Sequence, residues 1–463
     1  MEPPDSRHPA PNLTISRHHT RRSAADETSD QPLINLAISR HRTLPLAMRP
    51  GAPRFPRYLA PRLRESLADT PVVLIHGPRQ SGKTTLARTV GERRGYRYYS
   101  FDDDVARAAA ESDPVGFVAE LPKRAILDEV QRVPALFAAL KVAVDRQRIP
   151  GRFILTGSAN VLLVPKLADS LAGRMGILRL HPLAQCELAG KVPRFLETLF
   201  AGAFKTRTSE RLGPALAERI VAGGYPAALA RRTAARRTAW YRDYVDTQVQ
   251  RDVRDLAQIR SLDALPRLLA IAAGYTSQLI NVTDLAAPFQ LTRQTIQDYV
   301  TLLERLFLLD RLTPWHSNRL SRLVKTPKLH IGDTGLACAL LGIGAAQLHG
   351  DRATLGPLLE TFVCQELKRQ ASWHAAPITF HHFRDRDGME VDIVLERGAH
   401  EVAGVEVKAT ATLAAADFRG LRKLREAAAN RWTAGVVLYD GETTASFGEG
   451  LFAVPVRSLW EPI

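Results

Sequence analysis

Cysteine is scarce in this chain: three residues among 463, Cys186, Cys338 and Cys364, far apart and without metal-ligand spacing. That argues against a disulfide framework and a thiolate metal site, and fits a reducing compartment. Long hydrophobic runs are also missing. No stretch of about 18 apolar residues occurs, and the N-terminus carries no charged-then-apolar leader with a small-residue cleavage site. The chain therefore reads as soluble and cytoplasmic, without a membrane partner. Acidic residues are in deficit, 48 Asp+Glu against 63 Lys+Arg, leaving +15 at neutral pH. Such a surplus suits contact with a polyphosphate or another anionic surface, although an arginine-rich composition also follows from genome composition alone. Against these absences stand an average globular share of apolar residues, 45%, and a length that favours about three domains.

Residues 1–50 mix His, Arg, Pro, Ser and Thr with no apolar period beyond a short QPLINLAI patch and read as a disordered basic tail. Met48 opens a stretch that resembles a natural start, which makes the preceding residues a candidate extension from an upstream start codon. From 51 to 186, apolar runs (PVVLIHG, YRYYSF, RAILDE, GRFILTGS, GILRLHPL) alternate with helical segments, the pattern of an α/β domain built on a parallel sheet. Residues 187–260 read as a helical lid or linker. Within them, RRTAARRTAWYR reads as a solvated basic helix face. A helix, a short helix, a long helix and a hairpin fill 261–335, the order of a winged helix-turn-helix. A further α/β domain spans 336–463.

The sharpest motif is HGPRQSGKTT. Gly77, Pro78, Arg79, Gln80, Ser81, Gly82, Lys83 and Thr84 satisfy G-x-x-x-x-G-K-[ST] without a mismatch, followed by Thr85. The motif leaves an apolar strand and opens a helix, so backbone N–H groups and the helix N-terminus converge on phosphates. Lys83 is expected at the β/γ-phosphates and Thr84 on Mg²⁺. In RAILDE, Asp128 supplies the Walker-B acid for that ion and Glu129 the group that orients the attacking water. Thr156, Ser158 and Asn160 at the end of GRFILTGSAN are candidate γ-phosphate sensors, with the choice among them open. Arg174 in LAGRMG is either an arginine finger, acting in cis or from a neighbour, or a helix-end cation.

The succession GPRQSGKT, ILDEVQRVP, FILTGSAN, LAGR, GGYPAAL and QRDVRDL resembles a group of prokaryotic AAA-type P-loop ATPases, akin to the archaeal-ATPase group, with a C-terminal domain of unknown function. The likeness runs from Arg57 to the C-terminus. It implies a P-loop core with an extra strand between the Walker A and B strands, and ATP as the nucleotide.

In 336–463, Glu360 falls on a helix, Asp392 in the strand MEVDIVLE, and Glu406 and Lys408 two apart on one face of GVEVKA. Carboxylates from neighbouring strands suit a second Mg²⁺ or a Mn²⁺, with Lys408 as catalytic partner rather than ligand. The D…E-x-K pattern resembles the restriction-endonuclease-like core, with Glu390 as a rival carboxylate. Thr292, Arg293, Gln294 and Gln297 open the long helix of the triad, and Arg319, Arg322, Lys325 and Lys328 fall on the hairpin, where they would flank nucleic acid. An ATPase that couples nucleotide state to a nuclease-like domain on DNA is one reading. The other is a nucleotide-gated switch with a protein partner and an inactive nuclease-like domain. Oligomeric state stays open.

Overall fold

The computed structural model describes residues 55–461 apart from 159–170, 257–263, 290 and 318–325. Asn160, Arg319, Arg322 and Lys325 lie outside the described residues. So does the tail before residue 55.

Five parallel strands build the first sheet: β1 (Val72–His76), β2 (Arg97–Ser100), β3 (Ala125–Asp128), β4 (Phe153–Gly157) and β5 (Met175–Arg179), in the spatial order β2-β3-β4-β1-β5. β4 thus separates β1 from β3. Every residue of β1, β3 and β4 is buried, as strands covered on both faces require. Their side chains divide by alternation. Val73, Ile75, Ile126 and Ile154 pack with Leu63, Leu86 and Val90 of the helices Ala60–Asp69 and Lys83–Gly91. Val72, Leu74, Leu127 and Leu155 pack on the other face with Phe137 and Leu140 of the helix Leu136–Arg146.

The second sheet has ten strands: β6 (Arg207–Thr208), β7 (Gln278–Leu279), β8 (Leu309–Pro314), β9 (Lys328–Ile331), β10 (Ile378–Arg384), β11 (Glu390–Arg397), β12 (Glu401–Lys408), β13 (Trp432–Tyr439), β14 (Thr443–Ser446) and β15 (Leu451–Pro455). Their order is β6-β14-β15-β13-β12-β11-β10-β8-β9-β7. The boundary expected at 335/336 runs through this sheet. β8 and β9 form the anticipated hairpin, but β8 also pairs in parallel with β10, His381 opposite Thr313. One continuous apolar core, from Ala184 to Trp460, joins the helices of 187–260 to both regions.

The helix Arg352–Ala371 is deeply set in this body, with Leu355, Leu359, Val363 and Leu367 buried alongside Glu360, Glu366 and Arg369. Its N-cap Asp351 accepts from the Ala353 and Thr354 amides, which satisfies donors the helix leaves over. The long helix of the triad, Arg293–Arg305, is capped by Thr292 accepting from Thr295 N. It stops two residues before Phe307, which takes a left-handed φ of 60° and turns the chain into β8. No helix among the described residues is long and apolar enough to cross a membrane.

Candidate functional site: the phosphate loop and a buried lysine

At the end of β1 the chain enters the loop through Gly77, whose φ is +152°. A Cβ there would lie 2.1 Å from the Leu180 carbonyl oxygen, because the segment leaving β5 crosses against it, with Leu180 N donating to His76 O at 2.8 Å. Only glycine fits. Gln80 (φ 61°) and Gly82 (φ 98°) complete the reversal, and Lys83 opens the next helix. Ser81 is fully buried, and its Oγ has no partner among the described residues. Lys83 Nζ folds back onto the carbonyls of Gly77 (3.0 Å) and Pro78 (2.9 Å). An orphaned hydroxyl and an ammonium held by backbone carbonyls inside the turn are what a phosphate cradle presents to its ligand. Pro78 is buried, Arg79 and Thr85 are half-buried, and Gln80 is exposed.

Thr84 Oγ1 donates to Asp128 Oδ1 at 2.8 Å. Asp128 also accepts from Tyr98 Oη at 2.8 Å and from Thr156 Oγ1. A hydroxyl and a carboxylate in contact form an all-oxygen donor set that fits Mg²⁺. Burial pushes the Asp128 carboxyl up, and the charge of Glu129 adds to this, so a divalent cation would restore its ionised form. Glu129 adopts a left-handed φ of 59°, which is rare for a residue with a side chain. Burial alone would raise its carboxyl, yet Lys83, the hydrogen bond from Gln131 and Arg79 together outweigh that and hold it below the usual carboxylate range. Gln131 Nε2 donates both to Glu129 and to Ser158 Oγ, the latter at 2.9 Å. Glu129 is thus an ionised acceptor at the mouth of the loop. Tyr98 belongs to no motif, and Gln131, although inside the quoted ILDEVQRVP, was given no role; sequence reasoning missed both.

Arg174 lies elsewhere. It immediately precedes β5, its carbonyl accepts from Val72 N at the start of β1, and its guanidinium donates to Asp145 at 2.5 and 3.1 Å. In a parallel sheet the loop sits at the opposite strand ends, so an arginine finger acting in cis is excluded by register.

Two clamps tie the loop to neighbouring segments. Arg57 donates to Ser81 O (2.7 Å), His181 O (2.6 Å) and Glu187 Oε1 (3.1 Å). Tyr244, on the helix Ala234–Leu256, donates to Arg79 O at 3.3 Å. Beyond Glu187 runs a buried network. Gln185 N donates to Glu366 (2.8 Å), Glu366 accepts from Arg369 (2.6 Å), and Arg369 donates to Asp333 (3.1 Å). Asp333 in turn accepts from Gly224 N (2.8 Å) and Tyr241 Oη (2.9 Å). Phe307, at the entrance to β8, meets the His76 ring edge-on at 5.6 Å and lies under the Arg179 guanidinium at 5.0 Å.

The carboxylates of the second body do converge, around an unanticipated partner. Lys328 Nζ, brought by β9, lies 3.0 Å from Glu360 Oε1 and 3.0 Å from Asp392 Oδ1, with all three side chains at most 13% exposed. Asp392 also accepts from Val407 N at 2.9 Å. Glu406 pairs with Lys408 at 2.8 Å. Its carboxyl is pushed up to about 8, first by burial and then by Asp392. Burial and Asp392 likewise raise Glu360, while Lys328 contributes to holding Asp392 down. An ammonium therefore stands where the sequence suggested a metal ion. Among the described residues no group of three His, Cys, Asp or Glu is arranged to hold one. Lys328, expected to flank nucleic acid from the hairpin, is only 4% exposed. Glu390 is taken up by a partly exposed ion pair with Arg384 at 2.8 Å. Thr292, Arg293 and Gln294 are exposed at the start of their helix, and Gln297 is half-buried.

Comparison with known proteins matches residues 69–189 to an AAA domain, 213–347 to a domain of unknown function (DUF8612) and 355–459 to another (DUF4143). Uncharacterized protein Rv2008c of Mycobacterium tuberculosis and Uncharacterized protein Mb2031c of Mycobacterium bovis are each 31% identical over 405 residues, 87% of this chain and 84% of theirs. The chain belongs to their family. Its nucleotide core is that of a P-loop AAA-type ATPase, for which ATP with Mg²⁺ is the general cofactor pair. Among solved structures, the Walker-type ATPase of Pyrococcus abyssi aligns at 17% identity over 64% of this chain and 99% of its own, with a TM-score of 0.39. The RuvB Holliday junction branch migration motor of Thermotoga maritima aligns at 19% over 56% and 90%, with a TM-score of 0.25.

Proposed function

We propose that this chain binds and hydrolyses ATP and transmits the nucleotide state to the helical triad and the C-terminal α/β region. The observation that carries this reading is the pair of hydrogen-bonded sets Thr84–Asp128 and Glu129–Gln131–Ser158, joined through Thr156 Oγ1, which donates to Asp128 and accepts from Glu129 N, beside a P-loop with a carbonyl-held lysine and an orphaned Ser81 hydroxyl. Lys83 holds the β/γ-phosphates. Thr84 and Asp128 hold Mg²⁺, which neutralises phosphate charge when bound. Glu129 orients the attacking water and accepts its proton at a carboxylate oxygen, while Gln131 and Ser158 fix that carboxylate. Asn160 is a further sensor candidate. Arg174 serves as a finger only toward a neighbouring subunit. Coupling follows Arg57 and Tyr244 into the buried Glu366–Arg369–Asp333 network.

DNA is the proposed target. The surplus of basic residues and the exposed Thr292, Arg293 and Gln294 at a helix start, as a winged helix-turn-helix would present them, support it. The second reading, a nucleotide-gated switch with a protein partner and a nuclease-like fold that does not cleave, is favoured by Lys328 between Glu360 and Asp392. Turnover of radiolabelled ATP with Mg²⁺ tests the core. Lys83→Ala is expected to lose binding and Glu129→Gln to keep binding but stall turnover; wild-type turnover by Lys83→Ala refutes it. A steep salt dependence of DNA affinity separates the two targets, since a protein partner alone leaves DNA binding negligible.

A further inference from the structure

The arginine-rich run that succeeds the Gly223–Gly224 turn is not solvated throughout. Arg232 and Arg236 are exposed, but Arg237 turns inward and, with Arg219 from the helix Pro214–Ala222, lines a cleft of about 380 Å³. Gln185, Gly223, Glu218 and Trp460 complete its polar and aromatic lining. The Nε–H groups of Arg219 and Arg237 are buried and have no acceptor among the described residues. Neither guanidinium forms an ion pair among the described residues; Arg219 lies over the Trp460 ring at 5.7 Å, and Arg237 reaches only the Arg231 carbonyl, at 3.4 Å.

Two guanidinium groups sharing one cleft repel each other, and each buried donor without an acceptor costs free energy. A dianion relieves both penalties at once. Arginine's planar fork is suited to phosphate oxygens, which it binds through two parallel N–H bonds. The cleft is too large for phosphate alone, since a volume of roughly 300 Å³ or more is that of a small-molecule site. Exposed Glu218 is an acceptor for ligand hydroxyl or amine donors. We propose that this cleft binds a small phosphate monoester bearing hydroxyl groups, with Arg219 and Arg237 on the phosphate and Glu218 on the hydroxyls.

Its location gives binding a route to the nucleotide loop. Gln185 N donates to Glu366 in the buried network with Arg369 and Asp333. Gly223 is packed so tightly that a Cβ would lie 2.2 Å from both Asp333 Oδ1 and Tyr241 Oη. Occupancy of the cleft therefore bears on the residues that join the phosphate loop to the second sheet. The site itself does not depend on ATP hydrolysis.

Calorimetric titration of the full chain carrying Lys83→Ala, so that the P-loop does not compete, tests the site with ribose 5-phosphate and with pyrophosphate. Both probes are expected to bind at one site. Arg219→Gln and Arg237→Gln should each weaken both by about ten-fold or more, the effect of losing one charge-assisted pair. Glu218→Ala should weaken ribose 5-phosphate while sparing pyrophosphate, a contrast that general unfolding would not produce. No binding of either probe by the Lys83→Ala protein, or binding unchanged in both arginine variants, overturns the proposal. Loss of ATP turnover by the wild type would leave it standing.

Discussion

Replacing Lys328 by methionine removes the one cation that touches both Glu360 and Asp392 among the described residues. The methylene stem is approximately preserved, so the effect is mainly electrostatic. Breaking a buried pair from one side costs about 3–5 kcal/mol, because the partner charge stays behind without compensation. For a cooperative unit of about 200 residues, each kcal/mol lowers Tm by about 2–4 °C, so the variant should melt about 6–20 °C below wild type. Part of the cost is recoverable by protonation. Glu360, already raised by burial and by Asp392, takes up a proton more readily once Lys328 is gone, so the deficit should shrink as pH falls below neutral. The triple variant Lys328→Met, Glu360→Gln, Asp392→Asn removes every charge in the contact and should recover most of the lost Tm. Differential scanning calorimetry with and without Mn²⁺ reads all of this. If the ammonium fills the cation position, Mn²⁺ leaves the wild-type Tm unchanged. A Lys328→Met protein melting with wild type, or a wild-type Tm raised by Mn²⁺ and no longer raised after Asp392→Asn, refutes the reasoning.

Gly77→Ala drives a methyl group into the Leu180 carbonyl at a φ that side chains avoid, and should abolish ATP binding in a fluorescent-nucleotide titration. Arg57→Ala releases Ser81 O, His181 O and Glu187 together; ATP affinity should fall about ten-fold, and Arg57→Lys should not restore it, because an ammonium lacks the planar fork. Acid should destabilise the fold steeply. Burial, reinforced by neighbouring cations, lowers His330 to about 3 and His382 to about 4, and holds His181 well below its usual value. These rings stay neutral in the fold while the unfolded chain takes up protons near pH 6.5. Their stabilisation is complete above pH 6.5 and is lost as pH falls toward the folded values. Three such groups give a slope of about 4 kcal/mol per pH unit. A Tm that stays flat between pH 6.5 and 4.5 would contradict this.

The phosphate loop was legible because a single uninterrupted segment carries its geometry. Strand, turn glycines, lysine and hydroxyl succeed one another, and the helix N-terminus does the rest. The placement of Arg174 was legible in principle. Ligands of a parallel sheet gather at the carboxyl ends of its strands, and a residue preceding β5 must stand at the other end. Tyr98 and Arg57 left no trace, because each reaches its partner across the sheet or from a preceding segment and belongs to no local pattern; Gln131 sits inside ILDEVQRVP, but its second partner, Ser158, is brought to it only by the neighbouring strand. Lys328 is the instructive case. Read along the chain, it is one more base on a basic hairpin, yet all four residues of β9 are buried, and a lysine in such a strand requires a carboxylate. What the chain order hid was the partner. Glu360 and Asp392 come within reach only because β8 lies parallel to β10 and carries the hairpin into the same sheet. The carboxylate pattern that suggests a metal site therefore has a different physical role once the sheet is assembled: it receives a cation that the chain itself supplies.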